Sequence, residues 1–365
     1  MTKDFTRAVQ LYTQACTGGD PYGCVRLGRA YQDGLGGLTT DVVHAVQLYT
    51  QACSGGDLSG CTLLGGAYER GVGGLTMDVT RAVQLYAQAC SGGDLSGCAW
   101  LGTGYAKGVG GLPRDETHAV QLFTQACDGG EILGCVWLGL EYGTGGGGLA
   151  KDEMRAVKLF TQACDRGSAL GCALLGVEYA TGGGGLAKDE RQAVKLFAQA
   201  CDGGDMFGCA ELGVEYELGG GGLAKDQTHA VKLYTQACDG GDMFGCVELG
   251  LAYENGGGGL AKDETHAVKL YTQACDGGER FGCVALGDAY KNGVGGLAKD
   301  QTRAVKLYTQ ACDGGERFGC YELGLAYETG VGGLAKDVTH AVQLYMQACN
   351  GGVIEGCTSA KRLKP

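Results

Sequence analysis

Proline is nearly missing from this chain, at 3 residues in 365, which excludes collagen and proline-rich linkers. There is no basic run either: Lys and Arg number 29 against 41 Asp and Glu, a formal charge of −12. So acidic a chain is a poor ligand for a phosphate backbone, and nucleic acid is not an expected partner. No apolar stretch approaches the roughly 18–20 residues that span a bilayer, so no membrane span is expected. The opening Met1-Thr2-Lys3-Asp4-Phe5 carries neither the apolar core nor the small-residue cleavage site of an export signal. Cys-x-x-Cys does not occur. What is abundant is glycine, 72 residues or about a fifth against roughly 7% in average proteins, together with 20 cysteines. Hydrophobic residues make up 44%, enough for a continuous core and too many for wholesale disorder.

The cysteines reveal the organisation. Cys16, Cys53, Cys90, Cys127, Cys164, Cys201, Cys238, Cys275, Cys312 and Cys349 follow one another every 37 residues. A second series, Cys24, Cys61, Cys98, Cys135, Cys172, Cys209, Cys246, Cys283, Cys320 and Cys357, keeps the same step, always eight positions later. A fixed period between 20 and 50 residues is the mark of a solenoid, so the chain reads as one array over 1–358 of nine to ten cycles. A basic tail, 359–365, follows and is expected to cap the last cycle.

Within a cycle, Ala267, Leu270, Tyr271, Ala274 and Cys275 recur as one face of a helix. Asp263 stands where an N-cap belongs, and Gly277-Gly278 are expected to end the helix with positive φ. Cys283, Leu286, Gly287 and Tyr290 mark a second helix. Gly287 costs roughly 1 kcal/mol in mid-helix relative to Ala, and its recurrence in every full second helix implies close helix approach. Each cycle is expected to be helix, six-residue turn, helix, glycine-rich loop: an all-α superhelix of about twenty short helices.

Leu-Gly-x-x-Tyr followed by Ala-x-x-x-Tyr/Phe-x-x-Ala overlaps the tetratricopeptide signature, but the period is 37 rather than 34 and cysteine stands in place of Trp. The combination Ala-Cys-x7-Cys-x-x-Leu-Gly-x-x-Tyr-x-x-Gly-x-Gly-Gly resembles the Sel1-like repeat, and more narrowly the cysteine-rich Hcp group of Sel1-like proteins. That resemblance implies a right-handed superhelix, Cys-x7-Cys bridges between the two helices flanking a turn, and a weak β-lactam-binding or β-lactamase-like activity.

Three readings of the cysteines stand side by side. A helical hairpin can bring Cys275 and Cys283 within the Cα separation a disulfide needs. Reduced cysteines would serve as small core residues. Structural zinc is disfavoured by the spacing. Disulfides at this density belong in an oxidising compartment, secreted, periplasmic or mitochondrial intermembrane space. The absence of a visible signal leaves three explanations: an export signal outside this sequence, oxidative trapping in the intermembrane space as in a mitochondrial assembly factor, or a cytoplasmic protein with reduced thiols.

Catalytic signatures do not emerge. His44, His118, His229, His266 and His340 share one helix position that elsewhere holds Arg or Gln, which reads as a solvent-facing polar site rather than a metal set. None of the six serines has a lysine three residues later, so the serine β-lactamase motif is missing. The Gly-Gly-Gly-Gly runs lack the Lys-Ser/Thr of a P-loop and read as permissive inter-repeat connections. No cofactor, metal or catalytic residue is expected, and enzymatic activity remains the secondary reading.

Variation between cycles points to binding. Two residues after the second cysteine stand Trp100, Trp137, Glu211 and Glu248; four residues further along stand Glu141, Glu178 and Glu215. Spacing of i, i+4 places both series on one helical face, where stacked cycles would line a groove with Trp anchors and glutamates selecting a protein or peptide with a basic segment. The competing reading makes the Trp residues core variants and the glutamates a solvated face.

Overall fold

The computed structural model describes residues 5–363. The first four residues of the expected array, and the last two residues of the basic tail, lie outside the described residues. The chain falls into two compact segments, Met1–Ala187 and Lys188–Pro365. Among the described residues the first contains α1 (Phe5–Thr17), α2 (Pro21–Asp33), α3 (Val42–Ser54), α4 (Leu58–Arg70), α5 (Val79–Ser91), α6 (Leu95–Lys107), α7 (Glu116–Asp128), α8 (Ile132–Thr144), α9 (Glu153–Asp165) and α10 (Ala169–Thr181). The second contains α11 (Glu190–Asp202), α12 (Met206–Leu218), α13 (Gln227–Asp239), α14 (Met243–Asn255), α15 (Glu264–Asp276), α16 (Arg280–Asn292), α17 (Gln301–Asp313), α18 (Arg317–Thr329), α19 (Val338–Asn350) and α20 (Ile354–Leu363). All the described secondary structure is helical, as the periodicity predicts.

One cycle shows how the sequence sets the helix ends. The Asp263 carboxylate accepts the backbone N–H of His266 at 2.9 Å and starts α15. The expected six-residue turn is only three residues long, Gly277–Glu279, because Asp276 still belongs to α15 and Arg280 already opens α16. Gly277 keeps a helical φ of −76°. Gly278, at φ 92°, reverses the chain alone. Glu279 then caps α16 by accepting the N–H of Phe281 at 3.3 Å. Residues 359–363, set apart in sequence as tail, continue α20, where Arg362 pairs with Glu328 at 2.8 Å.

Two contacts alternate along each segment. Across the short turn, all twenty cysteines pair as Cys16–Cys24, Cys53–Cys61, Cys90–Cys98, Cys127–Cys135, Cys164–Cys172, Cys201–Cys209, Cys238–Cys246, Cys275–Cys283, Cys312–Cys320 and Cys349–Cys357. The Cα separation is 4.5 Å in nine of the ten and 4.6 Å in the last. Such bridges belong to an oxidising compartment. Across the glycine-rich loop, the mid-helix glycine receives an aromatic ring. A Cβ on Gly287 would stand 2.5 Å from Tyr308 Cε1, so the ring occupies the space a side chain would need. Tyr308 and its counterparts Tyr49, Tyr86, Tyr234 and Tyr271 are buried.

Two outcomes follow. Intact mass after alkylation should show no reactive thiol before reduction and twenty after it; twenty in the unreduced native protein would remove the bridges. Gly65→Ala, whose Cβ would meet the Tyr86 ring at 2.6 Å, should lower the thermal midpoint, at a cost of about 1–3 kcal/mol. Gly66→Ala in the same helix, with nothing nearer than 3.7 Å, should raise it, through a gain of about 0.5–1 kcal/mol.

Candidate functional site

The variable positions of the even-numbered helices do not form a uniform row. In the first segment Trp100 and Trp137 are half-buried. Trp100 stacks on Tyr86 with ring centroids 6.1 Å apart, and Trp137 on Phe123 at 6.5 Å. Each therefore extends the aromatic layer that closes over a mid-helix glycine, while one face remains open. Trp137 and Glu141 share a recess of about 230 Å³ with Thr103, Lys107, Leu140 and Thr144.

Glu141, Glu178 and Glu215 fold back over their own loops. A Cβ on Gly146, Gly183 or Gly220 would overlap the carboxylate oxygen of the matching glutamate. The second glycine of these runs therefore lies under the tip of a glutamate, which a side chain there would displace. Burial raises all three carboxyls above the usual carboxylate range, followed by the charge of Glu116, Glu153 or Glu190 respectively. Those three neighbours hold their own countercharges: Arg114 on Glu116, Lys151 on Glu153 at 2.6 Å, and Lys188 on Glu190 at 2.8 Å.

In the second segment Glu211 and Glu248 have a different setting. Each is pushed up to about 7, first by burial. Glu211 also feels Glu215, Asp242 and Glu248, and Glu248 feels Glu217. Glu248 lines a recess of about 230 Å³ bounded by α12, α13, α14 and the loop at Gly257 and Gly258. Glu217 and Tyr234 line it as well, and the Tyr234 hydroxyl donates to Glu217 at 2.8 Å. Sequence reasoning found Glu248 but missed Glu217, which lies six residues beyond Glu211 and so off the i, i+4 face.

The histidine position is also more than a solvent-facing site. His44, His118, His229, His266 and His340 each pack on the tyrosine thirteen residues earlier, with centroids 4.2–4.4 Å apart. Arg155 and Arg303 replace them over Tyr142 and Tyr290 at 4.8 and 5.3 Å. An imidazole and a guanidinium both suit an aromatic face, which explains the exchange. Among the described residues no group of three or more His, Cys, Asp or Glu gathers as metal ligands. No described helix is long and apolar enough to cross a membrane. Serine hydroxyls have local structural partners where these are seen: Ser59 donates to Asp57 at 2.6 Å and Ser96 to Glu131 at 2.7 Å.

Ten consecutive matches to the Sel1 repeat cover residues 1–20, 21–57, 58–94, 95–131, 132–168, 169–205, 207–242, 244–279, 281–316 and 318–353. No curated protein matches the chain. Among solved structures it is similar to a protective antigen present in uropathogenic Escherichia coli strains that displays an SLR fold. The identity is 26% over 99% of this chain and 76% of that one, with a TM-score of 0.53. A Sel1 repeat protein from Oxalobacter formigenes is 23% identical over 69% of this chain and 96% of its own, also with a TM-score of 0.53. Cysteine rich protein B of Helicobacter pylori is 30% identical over 37% of this chain and 94% of its own, with a TM-score of 0.30. In the matched register the repeats after the first each run from an even-numbered helix through the glycine loop into the next odd-numbered one. Nine of the ten disulfides therefore fasten one repeat to the next, and Cys349–Cys357 fastens the last repeat to α20. The chain belongs to the Sel1 repeat family, as a disulfide-linked array of ten repeats.

Proposed function

We propose that the protein is a non-catalytic scaffold that binds another protein or a peptide segment in an oxidising compartment: secreted, periplasmic or intermembrane-space. The observation that carries this reading is the recess in which Trp137 and Glu141 stand together. It joins a half-buried aromatic wall to a carboxylate on a framework whose remaining helix positions repeat almost unchanged. An aromatic anchor beside a partly desolvated charge is the pairing that concentrates binding energy at interfaces. The carboxylates favour a partner with a basic segment, since Glu141, Glu211 and Glu248 form no ion pair among the described residues, and the charges that Glu211 and Glu248 feel are those of other carboxylates. Repeat arrays suit this work because each repeat can vary its exposed positions without disturbing its neighbours.

Panning a random peptide library on the oxidised protein should enrich ligands that carry lysine or arginine. Trp137→Ala and Glu141→Gln should each weaken the selected peptides at least tenfold with far-UV circular dichroism unchanged. Failure to enrich any ligand, or undiminished binding by both variants, would overturn this recess as the site; loss of helicity in Trp137→Ala would assign the indole to the core. The same preparation should leave a chromogenic cephalosporin unhydrolysed above a reduced, unfolded control.

A further inference from the structure

The second segment contains two equivalent recesses, two cycles apart, that differ in one decisive side chain. The first, of about 230 Å³, is lined by Glu217, Tyr234 and Glu248. The other, of about 270 Å³, is lined by Lys291, Tyr308 and Glu322 at the matching positions. There the Lys291 ammonium donates to Glu322 at 2.6 Å, and the Glu322 side chain is only 18% exposed. The chain thus shows in its own fold that this recess holds a lysine ammonium against the glutamate two residues after the second cysteine.

In the first recess that ammonium is replaced by a second carboxylate. Glu217 accepts the Tyr234 hydroxyl, whereas Glu248 has no hydrogen-bond or ion-pair partner among the described residues. Tyr308 bonds instead to Asp288, at 2.7 Å, where lysine has taken the place of Glu217. Gln227 and Asn255 on the lining are exposed, so the recess opens to solvent. Two half-buried carboxylates facing one opening, with no countercharge, repel one another and lose solvation together. A cation from outside relieves both effects.

We propose that the recess between α12, α13 and α14 is a lysine socket, taking the ammonium of a lysine side chain on a bound polypeptide between Glu217 and Glu248. This rests on the reading of the chain as a polypeptide-binding scaffold and names which residue of the partner the second segment recognises. The alkyl stem lies along Leu251 and Ala252, and the ammonium takes the place that Lys291 fills two cycles later.

Affinity depends on pH with a definite sign. Glu248 is faced by Glu217 and Glu211 from α12, Tyr234 from α13 and Tyr271 from α15, and it titrates at about 7 when the recess is empty. Lysine binds the ionised form, so binding strengthens as pH rises from 5.5 to 8.

The test is an amide-resolved NMR titration of the full oxidised chain with Nα-acetyl-lysine N-methylamide, and with the norleucine analogue as the neutral match. Saturable shifts should appear at Asn255 and Gly257, at least tenfold weaker for norleucine and weaker for lysine at pH 5.5 than at pH 8. Glu217→Lys should abolish them; if that variant fails to fold, Glu248→Gln should weaken them at least tenfold. Lys291→Glu should create a second set of shifts at Thr329 and Val331. Equal response to both probes, or binding retained in Glu217→Lys, would overturn the socket. Library peptides that bind without perturbing Asn255 and Gly257 would leave the scaffold standing and remove the socket. A lysine response in a chain that enriches no peptide would do the reverse.

Discussion

Eight of the Sel1 repeats close on an aromatic ring placed where a glycine has no side chain. Tyr308 against Gly287 is one instance, and the same pair recurs as Tyr49 on Gly28, Tyr86 on Gly65, Phe123 on Gly102 and Tyr271 on Gly250. The ring is buried by the contact and sets how near the two helices of a repeat can come. Several of the proposed binding positions are referred to that ring. Trp100 and Trp137 stack on it, and the hydroxyl of Tyr234 reaches out from it to hold Glu217. The disulfides are secondary in this respect, since they join repeats whose internal spacing the rings have already determined.

Much of this was legible in the sequence because it is local and strictly repeated. A spacing of eight between cysteines made a hairpin bridge one of three readings, which the structure decides, and a glycine that persists in mid-helix despite its cost announces close packing. The turn length was not legible. Asp276 precedes the glycine pair and Arg280 and Phe281 follow Glu279 after it, and nothing in their chemistry says whether the helices stop before them or run through them. The contact at Gly146 was hidden for a different reason: its φ is ordinary, and only the folded path of Glu141 shows what a side chain there would displace.

The variable glutamates show the limit of face arithmetic. Spacing of i, i+4 correctly places Glu211 and Glu215 on one side of α12, yet their carboxylates end in different surroundings. Glu215 turns over its loop at Gly220, while Glu211, which still feels the Glu215 charge, is also faced by Asp242 and Glu248. A long side chain decides its own destination after the backbone has chosen a face. The histidines make the same point. Exchange with arginine looked like indifference to environment, whereas both side chains satisfy one tyrosine ring thirteen residues away.

Alternation of covalent and non-covalent joints has a mechanical consequence. Every bridge encloses a stretch with sequence separation 8, so a pulling force cannot extend that part of the chain. Only the joint between ring and glycine can open. Each opening would free the chain between Cys283 and Cys312, or its counterpart, roughly 100 Å when drawn out at about 3.3–3.6 Å per residue. Under tension the array would therefore lengthen in equal steps with rigid knots between them. A backbone cut inside a knot would leave the chain in one piece, whereas a cut in a glycine loop would sever it.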